Sequence, residues 1–337
     1  MFGERFKVSV FGESHGPAIG CTIEGAPAAF WLDVEELQKF LGRRSPGKSK
    51  TSTSRKEADK VEFLSGVNEH SCFEGSPITA IIRNTDTRSQ DYLDLSEVPR
   101  PGHADYAAML KYRGCNDPRG GGHFSGRLTA PICIAGGIAK QILKHKFNCD
   151  IETRLEEVGG FLATLRDPNK VILEAKRAGD SVGAIVSCSV FNFPAKIGGP
   201  LFDGLEGKIA QAIFGIPAVK GIEFGSGFRG AGLRGSQNND ELFVNTDDEV
   251  EAVSNNSGGI LGGISTGLGP ITFRVAFKPT PSISKPQMSV NMRTMEPVKK
   301  LVVKGRHDPC VALRAMPVVE AATAIALYDA WLSESSR

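Results

Sequence analysis

Residues 125–147 read SGRLTAPICIAGGIAKQILKHKF. From Leu128 to Ala139 no charge interrupts twelve residues, and apolar side chains fall on most sides of a helical period. A helix apolar all round in its first half has no face to offer water, so the stretch predicts a long buried helix over 125–147. Pro131 either kinks it or marks its true first turn, since proline lacks the N–H that an interior position needs. Twelve residues also fall short of the ~20 that a bilayer span requires.

The other helical and extended patterns flank this one. ITFRVAF (271–277) puts Ile271, Phe273, Val275 and Phe277 on one face of a strand. Phe6 to Phe11 alternates and ends at Gly12, Ile78 to Ile82 suits a buried strand, and Val182 to Phe193 reads as extended. Asp33 followed by Glu36 starts a helix with Leu37, Phe40 and Leu41 on its apolar face and Gly42 as its stop. Further helices are predicted over 103–112, 205–214 and 317–332, and a long exposed loop over 43–58. No repeat, linker or charge block divides the chain. The expectation is an α+β fold in a single domain, residues 1–337.

Composition narrows the function. The 337 residues include 40 Lys and Arg against 38 Asp and Glu, a net charge of +2, which argues against a general polyanion binder. Glycine is the outlier: 39 residues, about 12% against a typical ~7%, gathered in clusters that suggest shaped loops. The N-terminus lacks the apolar segment of a signal peptide. Seven scattered cysteines, odd in number and without a CxxC pair, make disulfides and zinc sites poor readings. A cytoplasmic protein without a resident metal or membrane contact is expected.

Five stretches could carry chemistry. Gly12-Glu13-Ser14-His15-Gly16 sets a histidine between glycines at a strand end, suited either to proton transfer or to a plain turn. Arg43 to Lys56 holds six cations, no acid and many hydroxyls, fit for phosphate or carboxylate oxygens or for simple solvation. Arg100-Pro101-Gly102-His103-Ala104-Asp105 opens a predicted helix, where free N–H groups welcome anions and favour a neutral imidazole. Arg119-Gly120-Gly121-Gly122-His123-Phe124-Ser125-Gly126-Arg127 brings backbone N–H groups near a phosphate or flat ring, without being a Walker or Rossmann loop. Gly305-Arg306-His307-Asp308-Pro309-Cys310 combines an anion clamp, a proton carrier and a carboxylate; a capped helix start explains Asp308 and Pro309 equally well. Glycine clusters at 225–235 and 258–263, with Lys278-Pro279-Thr280-Pro281-Ser282 after them, exceed what connections alone need.

Taken together, GESHGPAIGCTIEG, RSQDY, RPGHADY, the RGGG segment, LRGSQNNDE, GGILGGIS and GRHDPC resemble the chorismate synthase family, in one order along nearly the whole chain. The resemblance implies a β-α-β sandwich, assembled as a homotetramer. It also implies conversion of 5-enolpyruvylshikimate 3-phosphate to chorismate and phosphate with reduced FMN. By that resemblance His15 protonates the leaving phosphate, His103 serves the reduced flavin, and Asp308 acts near it with Ser14 and Ser125. Arg44, Lys50 and Arg127 would hold anionic groups of substrate or cofactor. Flavin contacts would come from His123, Phe124, Ser125, Pro217, Ala218, Gly262, Lys278, Pro279, Thr280, Pro281, Ser282 and Arg306.

Two features depart from the family pattern. His123, Gly126 and Leu128 stand in a segment usually written Arg-x-Ser-Ala-Arg-Glu-Thr, and Lys50 replaces the usual arginine, keeping charge but not the fork. No added flavin-reductase domain is evident, so reduced flavin is expected from a separate reductase rather than from NADPH on this chain. The competing reading is a non-catalytic module that binds RNA through 43–56. Near-zero net charge and only two Trp and four Tyr disfavour it.

Overall fold

The computed structural model describes residues 1–45, 47, 59–85, 97–303 and 308–335. The N-terminal half contributes strands β1 (Lys7–Gly12) and β2 (Ala18–Glu24), helix α1 (Val34–Arg44), then β3 (Glu62–Ser65) and β4 (Ile78–Arg83). Helices α2 (Asp105–Tyr112) and α3 (Thr129–Phe147) follow. A second group begins with β5 (Asp150–Val158), β6 (Phe161–Leu162), α4 (Pro168–Arg177), β7 (Ala184–Phe191), α5 (Leu205–Phe214) and β8 (Val219–Phe224). Short helices α6 (Gly227–Gly230) and α7 (Gly235–Asn238) lead to hairpins β9 (Leu242–Val244) with β10 (Val250–Ala252), and β11 (Ile260–Leu261) with β12 (Ile264–Ser265). Strand β13 (Ile271–Phe277), the pair β14 (Gln287–Val290) and β15 (Pro297–Leu301), and helix α8 (Ala312–Ser335) complete the chain.

Two antiparallel sheets enclose the long helices. One has the order β1-β2-β4-β3, the other β6-β5-β7-β13-β8. Helix α3 packs on the first sheet, α8 on β5 and β7 of the second, and the two helices pack on each other. This is an α+β sandwich with helices between sheets. Each strand of such a sheet needs only one apolar face, which is why Ile271, Phe273, Val275 and Phe277 are buried while Thr272, Arg274 and Ala276 are not. One cluster of buried side chains runs from Phe6 to Ala330, each fully buried Leu or Ile contributing roughly 1.5–3 kcal/mol.

The α3–α8 crossing depends on Gly136. A Cβ there would lie 2.3 Å from the Ala321 Cα, so only glycine lets the two backbones approach this closely. The N-terminus is fastened to α8 as well. The Asp329 carboxylate accepts from the backbone N–H groups of Glu4, Arg5 and Phe6 at 2.7–3.1 Å, and the Phe6 ring meets Tyr328 edge-on at 5.0 Å. Those contacts fix the start of β1 and so the position of the turn at its far end.

The structure moves several expected boundaries. Helix α1 runs through Gly42 to Arg44, because Arg43 and Arg44 complete its last turn and pair with Glu320 and Asp59. Arg44 is therefore a buried helical residue and not part of an exposed loop. The long central helix starts at Thr129 after a 3-10 turn at 126–128, and Pro131 falls in its first turn, where its missing N–H costs nothing. The last helix starts at Ala312, five residues before the expected Pro317, which lies inside it. Burial of Ala312 and Ala315 outweighs the hydrogen bond lost at that proline. Alternation passes over β2, β3, β5 and β8, whose patterns are not strict. By length and composition α8 could cross a bilayer, yet 83% of its apolar window is buried within the fold, as befits a core helix.

Candidate active site

A cavity of about 560 Å3 lies where loops from both sheets meet the first turns of α3 and α8. The tight connection from β1 to β2 delivers Ser14, fully buried, and His15, half-buried. The Ser14 N–H donates to the Gly122 carbonyl at 3.2 Å, tying this turn to the glycine run. Gly120, Gly121 and Gly122 all have positive φ (59°, 88° and 52°), which the backbone needs in order to lie flat against both histidines. A Cβ on Gly120 would sit 2.3 Å from the His15 ring, and one on Gly121 3.1 Å from the His103 ring.

His103 sits before α2, which begins at Asp105 and not at His103 as its sequence suggested. The ring is therefore not held by free N–H groups of the helix. Its Nδ1 lies 2.5 Å from Asp105 Oδ1, and Arg100 donates to that carboxylate through Nε (2.7 Å) and Nη2 (2.8 Å). Burial would raise the Asp105 carboxyl, but Arg100 and His103 hold it well below the usual carboxylate range. Arg100 Nη1 also donates to Ser282 Oγ at 3.3 Å, and Lys278 Nζ to the Gly102 carbonyl, so this loop is braced against 278–282.

Arg44 and Arg127 share a buried anion. Arg44 donates through Nη1 to Asp59 Oδ2 (2.9 Å), through Nε to Thr129 Oγ1 (3.0 Å) and through Nη2 to the Gly126 carbonyl (2.9 Å). Arg127 donates to the other Asp59 oxygen and, through Nε, to Asn84 Oδ1 at 3.0 Å. Burial and the nearby Arg314 pull the Arg44 guanidinium below its ordinary value, against the pull of Asp59. Two cations thus face the cavity with one carboxylate behind them, leaving positive charge for an anionic ligand.

The remaining walls carry most of the other expected residues. The His123 and Phe124 rings meet at 4.3 Å, tilted by 35°, with Tyr112 edge-on to His123 at 5.2 Å. Ser125 Oγ accepts from the Arg127 N–H at 3.2 Å, capping the 3-10 turn. Pro217 and Ala218, in the turn before β8, line the cavity beside Lys278, whose backbone N–H donates to the Ala218 carbonyl at 2.9 Å; Thr280, Pro281 and Ser282 line it too, and burial with the nearby Lys220 lowers Lys278. Asp308 joins the wall through an ion pair with Arg314, whose Nε donates to the Arg44 carbonyl at 3.1 Å. With α8 starting at Ala312, Asp308 and Pro309 are not a helix cap.

Gly262, at the turn between β11 and β12, and Pro279 do not line this cavity. Lys50 and Arg306 lie outside the described residues. Of the 43–56 cations only Arg43 and Arg44 are described, and both are engaged within the fold, Arg43 by Glu320 at 2.6 Å.

Sequence reasoning passed over Asp59, Asp105, Arg314 and the apolar floor of Val311, Ala315 and Val318. Asp105 closes the quoted Arg100–Asp105 stretch, two residues from His103, but was given no role there. Asp59 follows the basic run by three residues, but nothing in the order of residues pairs it with Arg127, 68 positions away.

Comparison with known proteins agrees with this assembly. A family model described as chorismate synthase matches residues 6–332. The chain is 47% identical to the chorismate synthase of Chitinophaga pinensis, covering 99% of this chain and 96% of that one. It is 46% identical to the chorismate synthase of Korarchaeum cryptofilum, covering 98% and 96%. A crystal structure of chorismate synthase superposes with a TM-score of 0.73 at 27% identity, covering 98% of this chain and 93% of that one. The match takes in both sheets and every loop that builds the cavity, and the chain belongs to the chorismate synthase family, a family of lyases.

Proposed function

We propose that the chain eliminates phosphate from 5-enolpyruvylshikimate 3-phosphate in a 1,4-anti sense, giving chorismate, with reduced FMN bound in the same cavity. The observation that carries this reading is the convergence of His15 and His103 with Arg44, Arg127 and Asp308 on one cavity. They come from five separate stretches of chain, which a structural role alone would not require.

The residues present suit a flat, phosphate-bearing cofactor. The volume lies within the ~300–1,000 Å3 of ligand pockets. Thr280 keeps a buried hydroxyl with no hydrogen-bond partner among the described residues, and Gly120 lines the cavity with backbone alone. His123, Phe124 and Ser125, the Pro217–Ala218 turn and 278–282 would hold the group. When bound, reduced FMN supplies electron density that assists loss of an unactivated ring hydrogen.

The chain's own residues do the rest. Arg44 and Arg127, already oriented by Asp59, bind carboxylate or phosphate oxygens of the substrate and meet the charge that grows on the leaving phosphate. His15, held against Gly120, gives that phosphate its proton. His103 and Asp308 hold or move protons on the cofactor side. The apolar floor of Val311, Ala315 and Val318 keeps water from it. Engagement of Arg43 and Arg44 within the fold weighs against an RNA-binding module.

Residues 1–337 are read as one catalytic domain, supported by the single core cluster. Exposed Leu201, Phe202 and Phe228 suit burial between copies of a homotetramer. A separate reductase would supply the flavin. An anaerobic assay with reduced FMN and 5-enolpyruvylshikimate 3-phosphate tests the reaction: chorismate and phosphate should appear in equal amounts, and neither without reduced flavin. Folded protein with bound flavin and no turnover would overturn the reading.

A further inference from the structure

We propose that Asp105 is a positioning residue for His103, fixing the hydrogen on ring Nδ1 and leaving Nε2 as the accepting nitrogen of a ring that lines the cavity. The mechanistic part of this inference rests on the function proposed above; the tautomer itself does not.

The geometry is restrictive. Asp105 Oδ1 lies 2.5 Å from His103 Nδ1, while the Arg100 N–H and Nε both donate to Oδ2, at 3.0 and 2.7 Å. Arg100 Nη2 donates to Oδ1 at 2.8 Å. A carboxylate surrounded by a guanidinium and a backbone N–H is ionised and can only accept, so the Nδ1 it touches must carry hydrogen. The 3.1 Å approach of Arg100 Nη2 to Nδ1 is then a packing contact, since both atoms are donors. Asp105 is the first residue of α2, so its backbone is fixed by the helix, and Arg100 is fastened to Ser282. Among the described residues the charged groups around the ring are Asp105, Arg100 and, through Gly102, Lys278. The Cε1–Nε2 edge of the ring lies against Gly121, and Arg100 Nη2 comes within 3.4 Å of Nε2, where it can donate to a bare nitrogen. Nε2 remains as the nitrogen able to exchange a proton or hydrogen bond with a ligand.

This arrangement separates two tasks. One carboxylate selects the tautomer and aim of the imidazole, and the imidazole alone meets the ligand. Asp105 needs no contact with the reacting atoms.

The test uses the full chain with 15N-labelled histidine, assigned by comparison with His103→Ala. In the unaltered protein the neutral His103 ring should carry its hydrogen on Nδ1, with Nε2 bare. An Nε2–H, bare-Nδ1 ring would overturn the inference without any variant. In Asp105→Asn the preference should shift toward Nε2–H, with kcat falling roughly 10²- to 10⁴-fold, the range over which a positioned acid or base acts. KM should change little, and Asp105→Glu should restore part of the rate. Adding Asp105→Asn to His103→Ala should cost nothing further, because a residue acting only through His103 is silent without it. An unchanged ring in Asp105→Asn, or full additivity in the double variant, would refute the assignment. A shifted tautomer in a chain that never makes chorismate would leave it standing and refute the proposed reaction instead.

Discussion

The Arg44 guanidinium donates to the Asp59 carboxylate at 2.9 Å, with the Arg44 side chain 2% exposed and that of Asp59 fully buried. The same carboxylate also receives Arg127 and the Ser45 hydroxyl. The two arginines proposed to meet the substrate are therefore anchored from behind before any ligand arrives, which removes part of the entropy cost of binding.

Removing that anchor should be costly. Asp59→Asn keeps the shape but leaves two buried guanidinium groups without their counter-charge. Loss of one partner from such a group destabilises by about 3–5 kcal/mol. Urea unfolding monitored by circular dichroism should show the midpoint fall accordingly; an unchanged midpoint would mean that water already reaches both arginines.

Acid should unfold the protein through its buried carboxylates. Burial alone would raise Asp59, Asp105 and Glu320, but Arg44 with Arg127, Arg100 with His103, and Arg43 with Lys140 outweigh it and hold all three low. A group depressed in the folded state binds protons more readily when unfolded. Its stabilisation is complete above the unfolded values near ~4 and is lost as pH falls through the folded ones. The urea midpoint should hold from pH 7 to about 5 and drop steeply below about 4. A flat profile to pH 3 would contradict the pairing.

Gly120→Ala should separate activity from stability. Its Cβ would meet the His15 ring at 2.3 Å, and the ring, as a side chain, can swing away where backbone could not. The φ of +59° adds strain of about 1 kcal/mol. Chorismate formation should fall by about 10²-fold or more, the contribution of a positioned general acid, while the fold persists. Near-normal turnover would show that His15 works equally well from another position.

Gly136→Val should do the reverse and damage the core first. The new side chain would collide with the Cα and carbonyl oxygen of Ala321, at 2.3 and 2.5 Å from its Cβ. Neither helix can yield without shifting its sheet, so a loss of about 1–3 kcal/mol or more is expected in thermal or urea unfolding. Wild-type stability would mean that the helices slide more easily than their packing suggests.

Local patterns located strongly periodic elements well. β13 and α5 occupy the predicted spans, Ile271–Phe277 and Leu205–Phe214, because alternation and a helical stripe each matched a buried face there. Boundaries shifted wherever long-range partners intervened. α1 outlasts Gly42 through ion pairs to Glu320 and Asp59, and α8 absorbs Pro317 because its first turn is buried.

For the site, residue type and motif order brought out His15, His103, Arg44, Arg127 and Asp308, since imidazole, guanidinium and carboxylate chemistry is a property of the side chain itself. Their use depends on the folded arrangement. Asp59 joins Arg44 to Arg127, Asp105 meets His103, Arg314 braces Asp308, and Gly120 supports His15. Chemical identity and periodicity are written along the chain, whereas these pairings arise when segments up to hundreds of residues apart pack together. The sequence by itself determined the α+β class and the chemistry available; only the tertiary structure decided which charges are spent on each other and which remain to meet a ligand.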